Sequence, residues 1–127
     1  MKSRIKISGI TALLSVILTG TVAAQIGKPF IHDPSTIMEC DGKYYTFGTG
    51  GGGLISEDGW TWNSGAVRPG GGVAPDAVKI GDRYYISYAR GTGGHASEVY
   101  VMWTKTLDPE SPDFGFKIGR ASCRERV

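Results

Sequence analysis

The sequence predicts an all-β fold built from about two repeated units of short strands. Three observations carry that reading. Between residues 25 and 117, no stretch long enough for a helix places apolar residues at i, i+3 and i+4. Aromatic and β-branched runs recur instead, punctuated by glycine and by Asp-Gly turns. Finally, Asp41-Gly42-Lys43-Tyr44-Tyr45 is answered by Gly81-Asp82-Arg83-Tyr84-Tyr85, a shift of 40 positions from Lys43 to Arg83. Repeats near that length, made of several short strands, are the signature of propeller blades.

In chain order, the first segment reads as an address. Lys2, Arg4 and Lys6 form a basic start, ITALLSVILTGTV is apolar, and Val22-Ala23-Ala24 offers the small residues a signal peptidase needs. The apolar run is shorter than the roughly 20 residues a spanning helix requires. Residues 1–24 are therefore predicted to be a cleaved signal peptide, leaving Gln25 first, with a secreted or periplasmic product and no membrane attachment after cleavage.

The body, residues 25–117, begins with a lead-in that Pro29 keeps extended. His32-Asp33-Pro34 follows, with Asp33 read as a buried carboxylate at the mouth of a strand. STIMEC is a short inner strand, Asp41-Gly42 a hairpin turn, and KYYTFGTG an aromatic strand. After the glycines at 50–53, LIS and SEDGWTWNSG close a third and fourth strand around Asp58-Gly59. RPGGG is a second glycine loop, and APDAVKIGDRYYISYARG restarts the unit. In EVYVMWTK, Val99, Val101 and Trp103 alternate with Glu98, Tyr100 and Met102, as in a half-buried strand. TLDPESPDFGFKI gives a loop and the start of an outer strand.

Charge and cysteine usage exclude some partners. The whole chain carries a formal +2, but residues 25–117 hold eight Lys or Arg against eleven Asp or Glu, a net of −3. No basic face is available for phosphate backbones, so nucleic acid is not expected as a partner. Cys40 lies in an apolar strand and reads as a small buried hydrophobe; Cys123 lies in the tail, and no disulfide is predicted.

That tail, residues 118–127 (IGRASCRERV), reads back as ATC GGA AGA GCG TCG TGT AGG GAA AGA GTG. This resembles a common short-read sequencing adapter whose next triplet, TAG, is a stop. The expectation is a translated adapter, with the native protein continuing past Lys117.

HDPSTIMECDGKYYTFGTG, SEDGWTW, APDAVKIGDRYYISYARG and TLDPESPDFGFK together resemble the N-terminal part of a family 43 glycoside hydrolase, most like the secreted endo-1,5-α-L-arabinanases. The resemblance runs from about His32 to Lys117. It implies a five-bladed β-propeller, a central active-site depression, a polysaccharide or oligosaccharide substrate (arabinan), and inversion at the anomeric carbon. It also implies that Asp33 is the general base. An inverting enzyme uses one carboxylate to deprotonate water and a second carboxylic acid, roughly 6.5 to 9.5 Å away, to protonate the leaving oxygen. The family's acid Glu and its pKa-tuning Asp have no matching positions here. Glu39, Glu57, Glu98 and Glu110 read as solvated surface.

His32 is a candidate substrate contact beside Asp33. Asp76 matches the family's Trp-Ala-Pro-Asp entry to the second blade and is a pocket-lining candidate, although Val73 stands where Trp is usual. The bland alternative, for Asp33 and Asp76 alike, is that the dipeptide merely starts a strand. SEDGWTW resembles the Asp-box turn of sialidases and reads as structural, with Trp62 packed between strands. Trp60 reads as a packed blade residue that could reach sugar. His95 reads as a loop residue, and two distant histidines make no metal site; no cofactor is expected. GTGGGG lacks the Lys-Ser/Thr and helix of a nucleotide loop.

The resemblance leaves β-xylosidase or arabinofuranosidase activity within the same family as alternatives. A non-catalytic glycan-binding propeller or a sialidase-like one is the alternative of another class. A sialidase needs a Tyr nucleophile and an arginine cluster, a pattern into which Arg68, Arg83 and Arg90 do not fall.

Overall fold

The computed structural model describes residues 29–91 and 96–121. The leader, His95 and Cys123 lie outside the described residues. Among the described residues, eight strands form two four-stranded antiparallel sheets, each a meander in chain order, as the all-β reading with two repeated units expects. The first sheet holds β1 (Met38–Cys40), β2 (Lys43–Phe47), β3 (Gly52–Ser56) and β4 (Asn63–Val67). The second holds β5 (Val73–Ile80), β6 (Arg83–Arg90), β7 (Glu98–Thr104) and β8 (Lys117–Arg120).

Turn chemistry fixes the registers. Asp41 and Gly42 both take positive φ, 52° and 76°, as a two-residue type I′ turn demands, and set Cys40 opposite Lys43. At the matching turn of the second sheet Gly81 takes positive φ (61°) and Asp82 does not, and Ile80 pairs with Arg83. SEDG also makes a turn: the Asp58 carboxylate accepts the backbone N–H groups of Thr61 and Trp60 and the Ser56 hydroxyl. Those donors, Thr61 first, pull the Asp58 pKa down to about 2. Two strand boundaries differ from the sequence expectation. The inner strand pairs only from Met38, because Ser35 instead donates its N–H to the Phe47 carbonyl and Thr36 turns toward the second sheet. The fourth strand starts at Asn63, since Asp58 holds Trp60 and Thr61 in the turn.

The core lies between the sheets. Cys40, Tyr45, Phe47 and Ala66 from the first meet Ala77, Tyr84, Ile86, Tyr88 and Met102 from the second, with Leu107 closing the end. The alternation in β7 is real, but its inward side is that of Met102 (0% exposed) and Thr104, while Val99 is 48% exposed. The cause is register: Met102 pairs with Ile86 and Thr104 with Tyr84, so these share the face that meets the first sheet. Trp103, on the other face, carries the Arg83 guanidinium 4.1 Å and the Lys117 ammonium 4.9 Å from its ring centroid. Val78, Ile80 and Val99 leave that outer face apolar and exposed.

At one end of the seam the two glycine runs meet. Gly50 donates its N–H to Gly72 (2.8 Å), and Arg68 donates to the carbonyls of Gly71 and Gly48 while its guanidinium lies 4.7 Å from the Tyr88 centroid. Arg68 is 2% exposed, and burial pulls its pKa below the usual guanidinium value. This buried cation is tied to backbone carbonyls and an aromatic face, so it fixes loops.

Candidate active site

Asp33 lies ahead of β1, where the chain crosses the end of β2. Ser35 N–H donates to the Phe47 carbonyl and Thr49 N–H to the His32 carbonyl, at 2.8 and 2.9 Å, so residues 32–35 are strapped to the strand end on both sides of Asp33. Asp33 takes φ +48° immediately before Pro34, although a residue before proline is normally extended. Ala74, before Pro75 at the entry to the second sheet, does the same with φ +47°. Aspartate tolerates this left-handed region better than most residues; alanine does not, and such strain persists only where surroundings hold it.

The Asp33 carboxylate is held through one oxygen. His32 Nδ1 lies 2.8 Å from Oδ2, and the Thr49 hydroxyl donates to the same Oδ2 at 3.0 Å. Thr49 Oγ1 in turn accepts the Ala74 N–H at 3.1 Å. Among the described residues, Oδ1 has no hydrogen-bond donor. The expected burial of Asp33 is corrected: its side chain is 47% exposed and that of His32 67%. The positive-φ turn places the carboxylate at the open end of the sheet among polar neighbours, outside the apolar seam. A cleft of about 300 Å³ beside it is lined by Phe30, His32, Thr49 and Gly48, Gly52 and Gly53, with Ser64 to Val67 behind.

Asp76 is placed elsewhere on the same seam. Its Oδ1 accepts the Thr36 hydroxyl (2.9 Å), the Thr36 N–H (3.2 Å) and the Ala77 N–H (2.9 Å). These donors, the Thr36 hydroxyl first, hold its carboxyl below the usual carboxylate range. It joins the sheets and also borders a depression of about 280 Å³ with Val78, Tyr85 and Val101. The structure thus brings His32 and Asp33 together and gives Asp76 a separate set of partners. Trp60 is 62% exposed on the Asp58 turn. Glu98 is engaged by the Tyr100 hydroxyl and Arg120, while Glu39, Glu57 and Glu110 are exposed. Thr49 and Arg68 were not singled out from the sequence; Thr49 directly after an aromatic strand, between glycines, was the signal available.

No protein-family model matches the chain. It is 40% identical over 94 residues to a probable arabinan endo-1,5-alpha-L-arabinosidase A of Aspergillus flavus, covering 61% of this chain and 29% of that protein. The chain thus spans about three tenths of the length of the curated relatives it matches. Among solved structures, an exo-1,5-alpha-L-arabinanase from a bovine ruminal metagenomic library superposes with TM-score 0.64 at 34% identity, over 72% of this chain and 35% of that one. The GH43 endo-arabinanase from Bacillus licheniformis gives TM-score 0.56 at 26% identity, over 77% and 41%. Sequence and fold together make this chain GH43-like, similar to part of a family 43 arabinanase.

Proposed function

We propose that this chain carries the general base of an inverting glycoside hydrolase that cleaves arabinan, and that Asp33 is that base. The observation that carries the reading is the one-sided hold on its carboxylate: Oδ2 is fixed by His32 and Thr49, Oδ1 has no donor among the described residues, and the side chain is 47% exposed. In the reaction, a water oxygen bonds to the anomeric carbon while its proton passes to Oδ1. The glycosidic C–O bond breaks on the opposite face, and a carboxylic acid delivers the proton that the leaving oxygen takes. We assign that acid to none of the described glutamates and place it in the part of the relatives' length that this chain does not span.

The two sheets are, on this reading, two blades of a five-bladed propeller, and His32 lines the substrate cleft. Arabinan is preferred over xylan because the similar proteins are named for arabinan or as arabinanases. The net −3 of residues 25–117 suits a neutral polymer. The leader pattern of residues 1–24 supports a secreted or periplasmic enzyme.

The test is Asp33→Asn in the full-length enzyme, assayed by reducing ends released from linear arabinan. Losing a positioned base is expected to lower the rate by about 10² to 10⁴. Full activity in that variant would remove Asp33 from the mechanism.

A further inference from the structure

We propose that Thr49 is a positioning residue that selects Oδ1 of Asp33 as the proton-accepting atom; this rests on the reading of Asp33 as the base. The argument turns on the direction of one hydroxyl. A hydroxyl has a single proton to give and two lone pairs with which to accept. The Ala74 N–H, 3.1 Å from Thr49 Oγ1, can only donate, so it occupies a lone pair. The hydroxyl proton is therefore left for Asp33 Oδ2, at 3.0 Å.

The arrangement has little freedom. Threonine is stiff about χ1, and the Thr49 N–H is fastened to the His32 carbonyl at 2.9 Å, one residue from the carboxylate it holds. Gly50 is tied to Gly72, and Gly48 accepts from Arg68, so both neighbours of Thr49 are fixed as well. With His32 Nδ1 on the same Oδ2, two contacts converge on one carboxylate oxygen and leave the other without a donor among the described residues. A carboxylate held this way keeps Oδ2 as an acceptor of fixed hydrogen bonds and presents Oδ1 to water. The strained Ala74 has a role in this scheme: its left-handed conformation occurs where its N–H meets Thr49.

The test compares Thr49→Val, Thr49→Ala and Thr49→Ser in the full-length enzyme, reading kcat and KM on linear arabinan and the thermal midpoint of each variant. Val and Ala are expected to lower kcat by about 10- to 100-fold with KM changed less than about twofold, since a displacement of about 1 Å can cost 10²-fold. Ser, which keeps the hydroxyl, is expected to return kcat to within about threefold of the parent. Should Val crowd the glycine turn and lower the thermal midpoint, Ala, which only deletes atoms, decides. The proposal is overturned if folded Ala or Val enzyme keeps its kcat, if the loss falls on KM, or if Ser is as impaired as Ala. An inactive Asp33→Asn enzyme beside unimpaired Thr49 variants overturns this proposal alone; an active Asp33→Asn enzyme overturns the base assignment and leaves Thr49 nothing to position.

Discussion

Two neighbouring glycines in β3 should respond oppositely to the same substitution. A Cβ on Gly53 would lie 2.1 Å from the Thr46 carbonyl oxygen and 3.0 Å from both the Phe47 Cα and the Ala66 Cβ. Two of those three atoms are backbone of the adjacent strand, so no rotamer change relieves the contact. Relief requires β2 and β3 to part by about 1 Å, the gap between 2.1 Å and the closest approach a real Cβ makes. That movement breaks the pairs Thr46–Leu54 and Phe47–Gly53 and lifts the buried Phe47 from the core. Overpacking alone costs about 1–3 kcal/mol, and each backbone bond lost adds about 1 kcal/mol, so Gly53→Ala is expected to destabilise by about 3–5 kcal/mol. At Gly52 a Cβ meets nothing within 4 Å. There, Ala removes the entropy handicap of glycine in a strand and is expected to be neutral or stabilising by up to about 1 kcal/mol. Urea unfolding of both variants in the full-length protein, followed by near-UV circular dichroism, measures the difference. A gap below about 1 kcal/mol between them would refute the steric reasoning.

The remaining predictions concern pH. Tyr45 is buried, and burial, followed by the charge of Asp108, pushes its pKa up to about 12. A raised folded-state pKa means the contribution is intact below the ordinary tyrosine value of 10.0 and lost as pH climbs from there through about 12. Tyr45→Phe is expected to flatten that alkaline loss; an unchanged base-unfolding curve would count against it. For Asp76 the sign reverses: a lowered pKa gives stability above the ordinary carboxylate range that disappears as pH falls through the folded value. Thr36→Val is therefore expected to destabilise the protein near neutrality more than near pH 2, and an equal effect at both would remove the hydrogen bonds to Asp76 as the cause.

The elements written in local chemistry were legible in the sequence. Asp41-Gly42 announces its turn because few other dipeptides accept two positive φ values, and the Tyr-Tyr repeat marks both second strands. The inward face of β7 was not, because Val99, Val101 and Trp103 are as apolar as Tyr100 and Met102, and only pairing with β6 decides between them. Asp33 stood out through its neighbours, yet its exposure follows from a backbone turn that no side-chain pattern encodes. Thr49 and Arg68 act across the seam, on Ala74 and on the Tyr88 ring, and such partnerships leave no periodic trace. A buried arginine is harder still to read, since charge ordinarily argues for the surface.

The seam between the sheets has a temporal consequence. Among the described residues every strand pairing joins neighbours in the chain, so each meander can close locally, at little entropy cost. The ties that orient the carboxylate differ in kind, because Ala74 belongs to the second meander while Asp33 and Thr49 precede the end of the first. During synthesis, a ribosome that had released only the first sheet would have made Thr49 but not the N–H that fixes its hydroxyl. The first meander then comes with the carboxylate but not its aim, which arrives with the segment that follows Gly72.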